Sequence, residues 1–76
     1  MITKEEIKHA AENNEAFYLR CPRCGGSLKE KIHTNALSRR ADVYVCDKCG
    51  TQEAIEDLLG KPKPFERWAI AIESRL

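Results

Sequence analysis

The residues of this sequence best suited to chemistry are four cysteines, which occur as two copies of one short pattern. The first copy spans Cys21–Gly25 (CPRCG) and the second spans Cys46–Gly50 (CDKCG). A two-residue spacer lets both thiolates of one copy reach the same ion, and the glycine tolerates the left-handed backbone that such a turn often requires. The pattern therefore predicts one metal site with four ligands: Cys21, Cys24, Cys46 and Cys49.

The predicted metal is a single structural Zn²⁺ ion per chain. Zinc favours a tetrahedral shell of sulfur ligands, and four cysteines leave no open position for a catalytic water. Two disulfides are the alternative, but this spacing favours metal or redox chemistry and the polar N-terminus shows no secretory signal. A redox dithiol is a further alternative, although the sequence lacks the βαβ pattern that usually carries one.

The length of the chain also argues for a metal. Seventy-six residues form one domain, predicted to span 1–76, with a small hydrophobic core. Ordering such a chain costs on the order of 100 kcal/mol of conformational entropy, which burial in so small a domain roughly cancels. A structural zinc adds about 10–16 kcal/mol of binding free energy, so a bound metal ion is expected to supply much of the stability of the fold.

The overall charge gives no general attraction to nucleic acid. The formal net charge is +1, and four thiolates with one Zn²⁺ would together contribute −2 and bring it to −1. Any nucleic-acid binding must therefore come from a local basic patch. With 33% charged residues and no apolar run long enough to span a membrane, the chain is expected to be soluble and cytoplasmic.

Three helices are predicted around the cysteines. The first, at about 3–14, has a Thr3–Glu6 capping box with Ile2 and Ile7 as a hydrophobic staple. The second, at about 51–59, would be capped by Thr51 and end at Gly60. The third, at about 65–76, follows from an apolar stripe at helical spacing. The expected buried residues of the last two helices are Ala54, Ile55, Leu58 and Leu59, and Phe65, Trp68, Ala69, Ile72 and Leu76.

A β-hairpin is predicted between the two cysteine pairs. Its strands would cover about 28–33 and 40–46, with a turn at 35–38, and would place Lys31 opposite Tyr44 and His33 opposite Asp42. Together with the helices this gives a small zinc-stabilised α+β fold, whose zinc-binding core covers about 19–51.

The CPxCG…CxxCG layout over about 19–51 resembles zinc ribbons, which occur in transcription factors, RNA polymerase subunits and small bacterial proteins. A helix directly after the second cysteine pair is similar instead to treble-clef fingers, including the GATA type. Both resemblances imply a metal site, and neither implies a specific activity. Rubredoxins also carry a CPxCG unit, but as their second unit rather than their first. A Cys49 inside the first helical turn would favour the treble clef.

The sequence shows no catalytic constellation, so the chain is not expected to be an enzyme. The favoured function is a zinc-binding interaction module with a protein partner, because Glu53, Glu56 and Asp57 make the second helix repel phosphates. The alternative is nucleic-acid binding through the hairpin, and a third is a small subunit of a larger enzyme. The residues of the nucleic-acid hypothesis are Lys29, Lys31, Arg39 and Arg40.

His9 and His33 could serve as spare metal ligands but are expected to be ordinary surface histidines, since four cysteines already complete the shell. Phe65 and Trp68 could form an exposed binding anchor. In a chain with one tryptophan and two phenylalanines, they are expected to lie in the core instead.

Overall fold

The computed structural model describes residues 1–76 and confirms a small α+β fold with three helices and a two-stranded antiparallel hairpin. In chain order the elements are α1 (Lys4–Asn13), β1 (Ala36–Leu37), β2 (Tyr44–Val45), α2 (Asp47–Leu59) and α3 (Ala69–Ser74). Single 3₁₀ turns lie at Glu15–Phe17, Ile32–Thr34 and Phe65–Arg67.

The N-terminal helix forms as local sequence signals predict. Thr3 is its N-cap and completes the capping box with Glu6: the Glu6 N–H donates to Thr3 Oγ1, and the Thr3 N–H donates to the Glu6 carboxylate. Ile2 and Ile7 are both buried. Because these interactions lie within one turn of each other, they need no long-range contact to specify the start of the helix.

The second helix begins earlier than predicted. It starts at Asp47 rather than at about residue 51, with Cys46 as an extended N-cap at φ −68° and ψ 159°. Thr51 is therefore not a cap, and its hydroxyl donates to the Asp47 carbonyl inside the helix at 3.1 Å. Gly60 ends the helix as predicted, at φ 67°. The acidic Asp47 suits the positive end of the helix dipole, which favours this earlier start.

The predicted buried face of α2 is wrong. Ile55, Leu58 and Leu59 are 52%, 86% and 66% exposed, whereas Cys49 and Glu53 are the buried residues of the helix. At 100° per residue, Glu53 lies within about 40° of Cys49 around the helix axis, and Leu58 lies about 180° away. The position of Cys49 therefore turns the apolar stripe towards solvent.

The C-terminal helix is shorter than predicted. The backbone leaves the helical region at Trp68, with ψ 144°, and α3 covers only Ala69–Ser74. The break lets the N–H groups of Ala69 and Ile70 donate to the carbonyls of Arg23 and Pro22, at 3.0 and 2.9 Å. These bonds attach α3 to the first cysteine turn. They also change the buried set: Trp68, Ile70 and Ala71 are buried, while Ile72 and Leu76 are exposed.

The hairpin is also shorter than predicted and lies elsewhere along the chain. It pairs Ala36 with Val45 and Leu37 with Tyr44, so β1 occupies the predicted turn and the predicted register is wrong. Residues 28–33 do not form a strand. The Asn35 side chain accepts from the Lys29 N–H and donates to the carbonyls of Lys29 and Ile32, and these local bonds take the place of a ladder.

The core surrounds the cysteine turns. α1 packs on α3, and α2 packs on β1. Gly50 permits the second contact, since a Cβ at this position would lie 2.6 Å from Ala36 Cβ. Cys21 and Cys49 are themselves core residues, whereas the other two candidate ligands are half-buried and exposed, so the cysteine cluster reaches from the core to the surface. The same core also contains Ile7, Phe17, Val45, Trp68 and Ile70.

Candidate metal centre

The first cysteine pair lies in a tight turn closed by an isolated bridge between Arg20 and Ser27. The Cys21 N–H donates to the Gly26 carbonyl and the Gly25 N–H donates to the Cys21 carbonyl, at 2.6 and 2.7 Å. Gly25 adopts φ 80°, the left-handed conformation predicted for the glycine of this motif. The turn thereby directs Cys21 and Cys24 towards the same point.

The second pair lies at the junction of β2 and α2. Cys46 follows the last strand residue and caps α2, and Cys49 is the third residue of that helix. The Gly50 N–H donates to the Cys46 carbonyl at 2.9 Å, so the pair spans the first helical turn. Unlike Gly25, Gly50 has an ordinary helical conformation, and its importance is the close approach to Ala36.

The four sulfur atoms form one cluster that could hold a metal ion. All four lie within 4.8 Å of one another, and Cys24 Sγ lies 3.7 Å from Cys46 Sγ. A tetrahedron with metal–sulfur bonds of about 2.3 Å places its sulfur atoms about 3.8 Å apart, so the cluster fits a Zn²⁺-sized ion. All four cysteines are free, which disfavours the two-disulfide alternative.

Backbone N–H groups already point at two of the sulfurs. The Cys46 N–H donates to Cys21 Sγ at 3.3 Å, and the Gly26 N–H donates to Cys24 Sγ at 3.4 Å. Such donors stabilise thiolates and offset the negative charge of a four-thiolate shell. They also hold the ligand side chains in place, because each donor belongs to the backbone of a turn or strand end.

Desolvation and hydrogen bonding pull the thiol pKa values in opposite directions. Burial raises the pKa of Cys21 and of Cys49. Burial also acts on Cys24, but hydrogen bonds from the Gly26 N–H and the other three thiols outweigh it and lower the pKa of Cys24. A coordinated metal ion deprotonates its thiols, so filling this cluster would release protons.

A buried ion-pair network that the sequence-based predictions do not include adjoins the cluster. Arg23, between the two ligands of the first turn, is 1% exposed, and its Nη1 lies 3.3 Å from the carboxylate of Glu53, also 1% exposed. The same guanidinium pairs with Glu56 and donates to the Cys49 carbonyl at 3.5 Å. Cys49, Glu53 and Glu56 are spaced i, i+4 and i+7 and so share one face of the helix. This spacing is the sequence feature from which the placement of the two acids beside a candidate ligand could have been predicted.

The network extends from Glu53 to the end of the hairpin. Its carboxylate accepts from the Ser38 hydroxyl and from the Arg39 N–H, both at 2.7 Å. Ser38 Oγ in turn accepts from the N–H groups of Arg40 and Ala41. A single buried carboxylate thus ties the first cysteine turn, α2 and the loop between the strands together.

The basic residues of the nucleic-acid hypothesis do not form one strip. Lys29 pairs with Asp47 at 2.7 Å, whereas Arg39 and Arg40 pair with Asp57 at 3.3 and 4.0 Å. Ten residues of helix separate these two acids, so the two groups lie about 15 Å apart along α2. Lys31 is exposed and adjoins the 3₁₀ turn rather than lying on a strand face.

The two histidines and the two aromatic residues considered as binding residues lie apart from the cysteine cluster or within the core. His9 and His33 are exposed and lie outside the cysteine cluster. Trp68 is fully buried in the core as predicted, and the partly buried Phe65 ring meets it edge to face, with 5.2 Å between centroids. Neither aromatic residue is therefore a free binding anchor.

Comparison of the chain with protein-family models, with curated proteins and with solved structures finds no match. None of the helices is both long and apolar enough to cross a bilayer.

Proposed function

We propose that the chain is a non-catalytic zinc-binding interaction module of the treble-clef type. One structural Zn²⁺ held by Cys21, Cys24, Cys46 and Cys49 would fix a surface for a protein partner. The treble-clef assignment is supported by the order of elements: a cysteine turn, a short hairpin, and a second pair that opens a helix. A zinc ribbon would place the second pair in a turn between strands instead.

One observation carries the proposal of a partner: the apolar face of α2 is uncovered. Ile55, Leu58 and Leu59 follow the spacing i, i+3, i+4 and are all more than half exposed. These side chains lie on the helix that supplies Cys49, so binding of a metal ion by the four cysteines would fix their orientation. Contiguous exposed apolar side chains on a small domain are typical of protein interfaces.

The chemistry of this surface favours a protein over nucleic acid. The four acids of α2, Asp47, Glu53, Glu56 and Asp57, are each paired with a cation of the chain, and Glu53 is buried. The helix therefore offers phosphates no excess of positive charge, whereas a protein surface can cover the exposed apolar side chains.

The experiment places a photo-crosslinking amino acid at position 58 of the full chain and, as a matched control, at the exposed position Glu5 of α1. We expect a discrete protein adduct from position 58 and none from position 5. The adduct should disappear with Leu59→Lys, which charges the surface, and with Cys49→Ser, which removes a ligand. Equal labelling from both positions, or an adduct that survives both substitutions, would contradict the proposed surface.

The zinc site has a separate test. Metal analysis showing much less than one ion per chain would contradict it.

A second candidate function, nucleic-acid binding, is supported by a different surface. A cleft of ≈ 400 Å³ between α1 and the hairpin loop is lined by four cations, Lys4, Lys8, Arg39 and Arg40, against the acids Glu5 and Asp42. Single-stranded RNA should then bind with an affinity that falls linearly with salt on logarithmic axes, and Arg39→Ala with Arg40→Ala should weaken it. The pair Lys29→Ala with Lys31→Ala is the matched control, and a salt slope near zero would remove this candidate.

A further inference from the structure

A second apolar surface lies away from α2, where the end of α1, the segment that follows it and the chain before β2 meet. It is a groove of ≈ 360 Å³ with a mainly apolar lining. Its side chains include Phe17, Tyr18, Leu28, Ile32 and Tyr44. Tyr18 and Ile32 are 79% and 40% exposed, so they offer apolar area that no other part of the chain covers. None of these residues belongs to the candidate metal centre.

Three carboxylates line the same groove: Glu12, Glu30 and Asp42. Asp42 pairs with Lys8 at 3.0 Å, whereas Glu12 and Glu30 form no ion pair within the chain. Lys8 lies one helical turn before Glu12 and offsets one of the three charges. The groove therefore keeps an excess of negative charge beside its apolar lining.

The one cation of the lining does not reverse this charge. Arg20 pairs with Glu73 at 3.1 Å, and its guanidinium lies 4.4 Å from the centroid of the Phe17 ring. Arg20 also donates to the carbonyls of Ala16 and Gly25. Its donors are thus already engaged, so it offers little to an incoming anion.

We propose that this groove binds a basic segment of a partner polypeptide, in which an arginine or lysine stands between apolar residues. The aliphatic stem would pack on Leu28 and Ile32, and the charged head would reach Glu12 and Glu30. The faces of Tyr18 and of other rings in the lining attract cations as well. The same carboxylates would repel a phosphate backbone, which makes nucleic acid the wrong ligand for this surface.

The size of the groove suits a short segment rather than a folded surface. Ligand pockets range over about 300–1,000 Å³, and this one is at the lower end. The groove shares no residue with the apolar face of α2, so it is a second contact and does not depend on what covers that helix.

The experiment titrates the zinc-loaded full chain with the capped peptide Ala-Leu-Arg-Leu-Ala while ¹H–¹⁵N NMR spectra are recorded. We expect saturable shifts of the amides of Tyr18, Leu28, Ile32 and Tyr44. The peptides with glutamine or glutamate in place of the arginine should bind weakly or not at all. Glu12→Gln with Glu30→Gln should weaken arginine-peptide binding about fivefold to tenfold, as expected for two partly exposed ion pairs.

Two controls separate this site from general charge and from α2. Glu5→Gln with Glu15→Gln removes the same charge from exposed positions outside the groove and should leave the affinity unchanged. Leu58→Lys should also leave it unchanged, which distinguishes the groove from the proposed α2 surface. The inference is overturned by the absence of saturable shifts in the groove, by equal affinity for the glutamine peptide, or by equal effects of the two double substitutions.

Discussion

The guanidinium of Arg23 lies 3.3 Å from the carboxylate of Glu53, and each side chain exposes only 1% of its surface. Arg23 belongs to the first cysteine turn and Glu53 to α2, so the pair joins the two halves of the candidate metal centre from inside the core. Such a pair is costly to break, because removing one charge leaves the other buried without its partner.

The substitution Glu53→Gln should lower the free energy of unfolding by about 3 kcal/mol, since it leaves the buried Arg23 with one carboxylate fewer. Urea unfolding of the zinc-loaded protein measures the change. Lys29→Gln is the control: it breaks the exposed pair with Asp47, whose side chains are 56% and 62% exposed, and should cost less than about 1 kcal/mol. Similar losses for the two variants would show that the buried pair does not hold the turn to α2.

Metal removal should unfold the region around the cysteines, because the candidate ligands Cys21 and Cys49 are core residues. Trp68, the only tryptophan, is fully buried in the same core and reports on this change. We expect its fluorescence to shift to longer wavelength when a strong chelator is added, and to return when zinc is restored. Cys49→Ser should show the shifted spectrum without chelator. An unchanged spectrum and unchanged circular dichroism after complete removal of the metal would show that the fold does not need the ion.

Replacement of Gly50 by alanine should destabilise the protein by about 1–3 kcal/mol, although glycine to alanine within a helix is normally stabilising. The reason is the clash with β1, since the new Cβ would lie 2.6 Å from Ala36 Cβ. Thermal unfolding measures the change. Ala36→Gly in the same chain should restore most of the loss, and failure of this compensation would assign the effect to another contact.

The ion pair between Lys8 and Asp42, at 3.0 Å, should couple α1 to the hairpin in a pH-dependent way. The hydrogen bond and charge of Asp42 raise the pKa of Lys8 above its ordinary value of 10.5. Because the folded state holds this proton more tightly, the stabilisation is complete below pH 10.5 and is lost as the pH rises through the raised pKa. A double-mutant cycle with Lys8→Met and Asp42→Asn should therefore give a coupling energy below pH 10.5 that disappears at higher pH. A coupling that persists in strong alkali would show that packing, not charge, joins the two residues.

Local patterns in the sequence were sufficient for the features that depend on neighbouring residues. The capping box of Thr3 and Glu6 specifies the start of α1, and the left-handed Gly25 follows from the tight cysteine turn. The spacing of the four cysteines also predicts that they come together, and their sulfur atoms lie within 4.8 Å of one another. In each case the interacting residues are close in sequence or share a well-defined chemical preference.

The hairpin could not be predicted in the same way, because the bonds of Asn35 decide it. Its side chain bonds the backbone of Lys29 and Ile32 and so keeps residues 28–33 out of the sheet. Likewise, bonds from Ala69 and Ile70 to the first cysteine turn set the break at Trp68. The spacing of apolar residues carries no information about such hydrogen bonds, which compete with the regular hydrogen bonds of helices and strands.

The apolar residues of α2 show most clearly which features follow from the sequence and which depend on the tertiary structure. By itself the sequence determined that Ile55, Leu58 and Leu59 share a helix face and that the cysteines can ligate one ion. Only the tertiary structure decided which side of α2 faces inward, because Cys49 must reach the other three thiols and Glu53 must reach Arg23. Converging thiols and a buried charge pair can be satisfied in only one orientation of the helix, whereas exposed apolar side chains are tolerated on a protein surface.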